Sequence, residues 1–245
     1  MRAVLGAAAT LLLCLATPAH PADVPLPPPP KGLQDAPSWA VGARLGTGHW
    51  TESGTDTANP DFTGGLTGEW SPAARHALRL ELEGDRYRRT YALGGVDPAT
   101  GAGPRRTVDE SRWTARLTYG FDLLPRASDA GLGLSLLVGG GWVRFDDPVA
   151  AVGAIPLGAG FRLVRPLSSA VDARLEGFYG WAVGAGAPGA ASVYGKLKAD
   201  ASYALMASWL LAGGRVAAGY RGETLVFEHD YRLLHTLVVE IGLGQ

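Results

Sequence analysis

Three clusters in this chain combine residue types and spacings that could do chemistry. Glu81, Glu83 and Asp85 stand two residues apart. That spacing puts three carboxylates on one face of a strand, where they could hold Ca²⁺ or share a proton. The plainer reading pairs them with Arg112 and Arg116. Asp146-Asp147 and Glu228-His229-Asp230 set a carboxylate pair beside a His and Asp that could together activate water; the plainer reading is solvated loop charge. Arg86, Arg88, Arg89, Arg105 and Arg106 form a basic cluster. Guanidiniums pair bidentately with phosphate, so contact with phosphate-bearing head groups competes with ordinary surface solvation. There is no His-Glu-x-x-His zinc pair, no phosphate-cradling glycine loop and no Gly-x-Ser-x-Gly turn. No catalytic, cofactor or metal-ligand role is therefore assigned, and the case for an enzyme is weak though not removed.

What must position these clusters is legible in Trp113-Thr-Ala-Arg-Leu-Thr-Tyr-Gly-Phe-Asp-Leu123. One face of this segment is apolar or aromatic and the other carries Arg116 and Asp122, the pattern of a strand between lipid and a polar interior. Ten segments carry it, near 38–50, 62–70, 76–91, 111–124, 131–145, 154–165, 170–183, 193–206, 210–227 and 231–244. The chain is read as all-β, a closed antiparallel up-and-down transmembrane barrel of about 10 strands, with 8 or 12 also compatible. An even count puts both ends on one side. Tight connections fall near Ser71-Pro72, Pro125 to Asp129, Pro166 to Ser169 and Ala207-Ser208, and longer ones at 51–61, 94–106, 146–153 and 184–192.

The outward set includes Val41, Ala43, Leu45, Leu78, Leu80, Leu82, Leu136, Tyr179, Leu237, Val239 and Ile241, with Trp39, Trp70, Trp113, Trp142, Trp181 and Trp209 as interfacial girdles. The inward set is charged and balanced. Among its cations are Arg44, Arg79, Arg112, Arg116, Arg162, Arg174, Lys196, Lys198, Arg215 and Arg221; among its anions are Glu69, Glu81, Glu83, Asp85, Asp122, Asp172, Glu176, Asp200, Glu223 and Glu240. Centring each hairpin on its turn sets Glu69 opposite Arg79, Arg162 opposite Asp172, Asp200 opposite Arg215, Arg174 opposite Asp200 and Glu176 opposite Lys198. Glu83 would face Arg116, or, with a slip of two residues, Glu81 would face Arg116 and Asp85 would face Arg112. So many charges in so narrow a barrel predict a plugged lumen.

The N-terminus reads as an address. Arg2 precedes an apolar run from Ala3 to Ala16 and a small-residue stretch ending at Ala22, so 1–22 is taken as a signal peptide and 23–37, with Pro27 to Pro30, as a periplasmic linker. Residues 38–245 form the barrel domain. The single cysteine, Cys14, falls inside the address. A net charge of −1 supplies no basic field to hold nucleic acid.

With the export segment, the alternation, the aromatic strand ends and the closing strand Leu233 to Leu243, the chain resembles a small Gram-negative outer-membrane β-barrel protein. The resemblance implies outer-membrane lipid and lipopolysaccharide as surroundings and the barrel-assembly machinery as partner during biogenesis. Such proteins commonly finish with an aromatic residue, where this chain has Gln245. Three functions are compatible: a structural, envelope or surface-interaction role with a charge-paired lumen; a narrow porin-like channel for ions or small solutes; and a rim-sited hydrolase acting on lipid or peptide. No feature sets an oligomeric state.

Overall fold

A computed structural model describes residues 38–52, 55–56, 61–73, 75–92, 105–124, 131–146, 151–168, 170–185, 195–211, 214–228 and 231–244, and for 49–52, 55–56, 61, 87–92, 105–108, 184–185, 210 and 244 the backbone path alone. The signal-peptide and linker expectations, 1–22 and 23–37, lie outside the described residues.

The strands are β1 (Ser38–Glu52), β2 (Thr55–Asp56), β3 (Asp61–Ala73), β4 (His76–Ala92), β5 (Arg105–Leu124), β6 (Gly133–Asp146), β7 (Ala151–Pro166), β8 (Val171–Ala185), β9 (Leu197–Leu211), β10 (Gly214–Phe227) and β11 (Tyr231–Gly244). Each wall strand pairs antiparallel with its neighbours, and β11 pairs with β1, so the sheet has no free edge. That closure is what lipid demands, since an open edge would leave backbone N–H and C=O groups with no partner. The two-residue β2 is a local ladder on the end of β1 and is not part of the wall. The wall is a ten-strand up-and-down barrel, with no helix among the described residues.

The strands are strongly staggered. Cα partners traced from Gly42 run through Thr67, Glu81, Arg116 and Gly141, on across β7 to β10, and reach Tyr231, beside the Arg232 that pairs with Glu52. The trace thus returns to β1 roughly ten residues from its start, the offset that tilts strands in a small closed barrel. Such coiling brings backbones close. A Cβ at Gly158 would stand 1.9 Å from the Tyr179 carbonyl oxygen and one at Gly160 2.1 Å from that of Gly177, so neither site admits a side chain.

Outward leucines, valines and isoleucines form the apolar band. Trp113, Trp142 and Trp181 are exposed toward the loop end, and Trp39, Trp70 and Trp209 toward the terminal end. Two girdles thus flank the band at the depths where aromatic rings meet head groups. Trp113 also lies over Gly84, covering backbone that has no side chain of its own.

Two strands depart clearly from the sequence expectation: β5 begins at Arg105 rather than near 111, and β9 continues through Trp209 to Leu211, Cα partner of Gly214, rather than ending at Ala207-Ser208. An apolar segment in register with β8 and β10 keeps its ladder hydrogen bonds until the chain leaves the membrane.

Candidate functional site in the barrel lumen

The middle of the lumen is a salt-bridged layer. Arg44 on β1 donates to Glu83 at 3.0 Å and Glu81 at 3.3 Å on β4, and to Glu240 at 3.2 Å on β11. Arg79 reaches Glu81 at 2.8 Å and, across the barrel, Glu176 at 3.0 Å. Arg162 joins Glu176 and Glu69, each at 3.1 Å, and Arg221 meets Glu83 at 3.0 Å. Toward the loop end, Arg112 lies fully buried among Asp85, Glu83 and Glu223, and Arg116 pairs with Asp200 while stacking over Phe178. Most of these links span the lumen rather than join adjacent strands. Long guanidinium side chains make that possible, and each presents several donors in a planar fork.

Beyond the loop-end girdle the polarity of the wall inverts. Val143, Phe145, Val152, Leu197, Leu225, Phe227 and Leu234 point inward and pack into one buried cluster, with Phe145 and Phe227 edge to face at 5.5 Å. Arg144 and Lys198 point outward there, to Asp146 at 2.8 Å and Glu228 at 3.7 Å. Arg232 and Glu110 are buried beside this cluster, 3.8 Å apart, with the Arg232 guanidinium over the Phe145 ring. At the terminal end the lumen instead widens into a polar vestibule of about 340 Å³. Between the two, the cavity enclosed by Arg44, Arg79, Arg174, Glu176, Arg221 and Glu240 measures about 10 Å³, room for one water molecule at most.

Glu69 is the Cα partner of Arg79, and the slipped register holds for the next hairpin: Glu81 faces Arg116 and Asp85 faces Arg112, while Glu83 faces Thr114. The other expected partners are corrected. Arg162 stands opposite Glu176 and not Asp172, because the β7–β8 turn, closed by Leu167 and Ser168 amides on the Val171 carbonyl, lies further along the chain. The extension of β9 places Asp200 opposite Leu225 and Gly180, Arg215 opposite Leu210, Arg174 opposite Met206 and Glu176 opposite Ala204. Lys198 is not a lumen residue. A register shift at Val226 and Phe227 pairs Phe227 with Leu197, turning Leu197 inward and Lys198 out to solvent. Lys196 is likewise exposed. Asp172 is buried, and Asp122 accepts from the Ser135 hydroxyl at 2.5 Å.

Sequence reasoning missed the apolar cluster and the buried pair Glu110 and Arg232. A signal was present: in Trp142-Val-Arg-Phe-Asp146 the alternation continues, yet past the tryptophan the charges occupy the outward positions.

The three chemical clusters fare differently. Glu81, Glu83 and Asp85 are engaged by arginines, and among the described residues no group of three or more His, Cys, Asp or Glu could hold a metal ion. Asp146 is bonded by Arg144 and Ser111, while Asp147, His229 and Asp230 lie outside the described residues. The basic cluster falls on a ribbon formed where β4 and β5 run on together, from Arg86 opposite Ser111 to Ala92 opposite Arg105, past the last pairing of either strand with β3 or β6. By backbone register Arg86, Arg88 and Arg105 hold positions on one face of the ribbon and Arg89 and Arg106 on the other. The Arg86 guanidinium is exposed and meets Asp109 at 2.9 Å; the side chains of Arg88, Arg89, Arg105 and Arg106 lie outside the described residues.

No protein-family model and no curated protein matches the chain. Solved structures are similar to it. The β domain of the Bordetella autotransporter BrkA is 14% identical with a TM-score of 0.47, covering 84% of this chain and 98% of that one. An outer membrane channel from Pseudomonas putida F1 is 9% identical with a TM-score of 0.46, covering 88% and 99%. The translocator domain of the autotransporter NalP from Neisseria meningitidis is 12% identical with a TM-score of 0.41, covering 86% and 88%. By its own closed wall, apolar band and aromatic girdles, the chain is a ten-strand transmembrane β-barrel.

Proposed function

We propose that this protein is exported by its N-terminal segment, spans the outer membrane as a closed barrel, and serves the envelope through its wall and rim rather than as a conduit. The observation that carries this reading is the central layer, where ion-paired side chains leave a cavity of about 10 Å³. A hydrated ion needs a continuous water path, and a charged layer locked in mutual pairs does not supply one. The apolar cluster around Phe145 and Phe227 adds a dry second barrier.

Planar-bilayer conductance of the refolded chain from residue 23 onward tests this. A barrel that shows heat-modifiable gel migration and stays electrically silent supports it, and discrete, reproducible steps overturn it in favour of a narrow channel fed from the vestibule. The rim has its own test. Arg86, Arg88 and Arg105 on the outer face of the β4–β5 ribbon suit lipopolysaccharide phosphates. Changing them to Gln removes lipopolysaccharide-dependent stabilisation, while the same change at Arg89 and Arg106 does not; equal effects from both sets would remove the proposal. The closing strand, Tyr231–Gly244, is the segment offered to the assembly machinery.

A further inference from the structure

With Lys196 and Lys198 outside, the arginines of the lumen are outnumbered by its carboxylates, and the two are shared unevenly along the barrel. Toward the loop end the guanidinium of Arg112 is shared by Asp85, Glu83 and Glu223, and Arg221 also reaches Glu83 and Glu223. At the floor of the terminal vestibule the sharing runs the other way. Glu240 alone is divided among Arg44 at 3.2 Å, Arg215 at 3.0 Å and Arg174 at 3.5 Å, and Glu176 between Arg79 and Arg162. Arg174 and Arg215 at the vestibule floor therefore depend on one carboxylate that Arg44 also shares.

Arg174 is the residue this arrangement serves least. It is 6% exposed, and it lines the vestibule on one side and the small central cavity on the other. Its bond to Glu240 lies at the limit of hydrogen-bonding distance, and its Nε has no acceptor among the described residues. A buried cation with donors to spare is costly unless an acceptor completes it. Arg215, about a third exposed, also lines the vestibule, along with the hydroxyl residues Ser38, Ser71 and Ser135. Glu240 is the acid bonded to Arg174: Glu69 is held by Arg162, Asp122 accepts from Ser135, and Asp172 lies buried along the vestibule lining.

We propose that the vestibule floor is a binding site for a small oxyanion, a phosphate or a carboxylate, held by Arg174 and Arg215. Two guanidiniums meeting one oxyanion give short charge-assisted bonds, and the cavity of about 340 Å³ leaves room for the polar body that carries the anion. The site does not depend on whether the lumen conducts, so it stands or falls separately from the closed-barrel reading.

The test uses the full chain purified from membranes in detergent, titrated with inorganic phosphate, acetate or chloride at matched ionic strength while thermal unfolding is followed. Saturable stabilisation by phosphate or acetate beyond that by chloride is expected, and the stronger of the two names the ligand class. Arg215→Gln weakens the apparent affinity about tenfold or more, the loss of one charge-assisted bond. Arg174→Gln abolishes the response, and Arg86→Gln at the opposite end leaves it intact. Because Arg174 is embedded in the ion-pair layer, Arg215→Gln decides the matter even where Arg174→Gln fails to fold. Equal responses to all three salts, or an unchanged affinity in Arg215→Gln, overturns the proposal.

Discussion

Between the two tryptophan girdles the barrel carries charge inside and hydrocarbon outside; past the loop-end girdle, within the same strands, it carries hydrocarbon inside and charge outside. Strand β6 makes the contrast within a few residues. Leu136 and Val138 face out while Gly139 and Gly141 face the ion pairs, and then Arg144 faces out while Val143 and Phe145 fill the interior. The backbone pairing does not change across this boundary. What changes is the solvent against the outer face. Lipid outside gives no hydrophobic reason for an apolar interior, and paired charges fill most of it beside a small cluster of Met206, Ala217 and Val238, whereas water restores the ordinary preference for an apolar core.

Removing Arg112 should break the membrane-embedded half most severely. Arg112→Met leaves Asp85 buried without its ion-pair partner and takes one cation each from Glu83 and Glu223, at a cost of about 3–5 kcal/mol in urea unfolding from lipid vesicles. Phe145→Ala opens the apolar half and should cost about 3 kcal/mol by the same measurement. Leu117, exposed midway between Trp113 and Phe121, probes the lipid face: Leu117→Arg should cost about 2 kcal/mol or more. The matching change beyond the girdle, Lys198→Leu, should shift stability by less than about 0.5 kcal/mol, because that position already faces water. A Leu117→Arg variant as stable as Lys198→Leu would show that the two outer faces meet the same solvent.

Much of this was readable because a strand's side chains alternate strictly, so one misplaced residue would expose a whole face. Leu78, Leu80 and Leu82 against Arg79, Glu81 and Glu83 sufficed to place β4. The partners within the lumen were not readable in the same way. Hairpin geometry ties a residue to its neighbour on the next strand, but Arg79 finds Glu176 and Arg44 finds Glu83 across open space. Those contacts depend on barrel curvature and side-chain reach, which no local spacing encodes. Lys198 was misplaced for a different reason: one bulge resets the alternation, and neither Val226 nor Phe227 marks it by type.

The first charged residue of the wall, Arg44 on β1, and the last, Glu240 on β11, are Cα partners across the seam and are bonded to each other. Assembly therefore ends with two events that coincide. Joining β1 to β11 removes the sheet's last free edges, and the same step takes Arg44 and Glu240 out of reach of lipid and links the pairs that each makes on its own side of the seam. A sheet stopped short of closure would hold both charges against hydrocarbon, so a partly inserted barrel has no comfortable resting state. Closure commits the chain to the membrane in a single step.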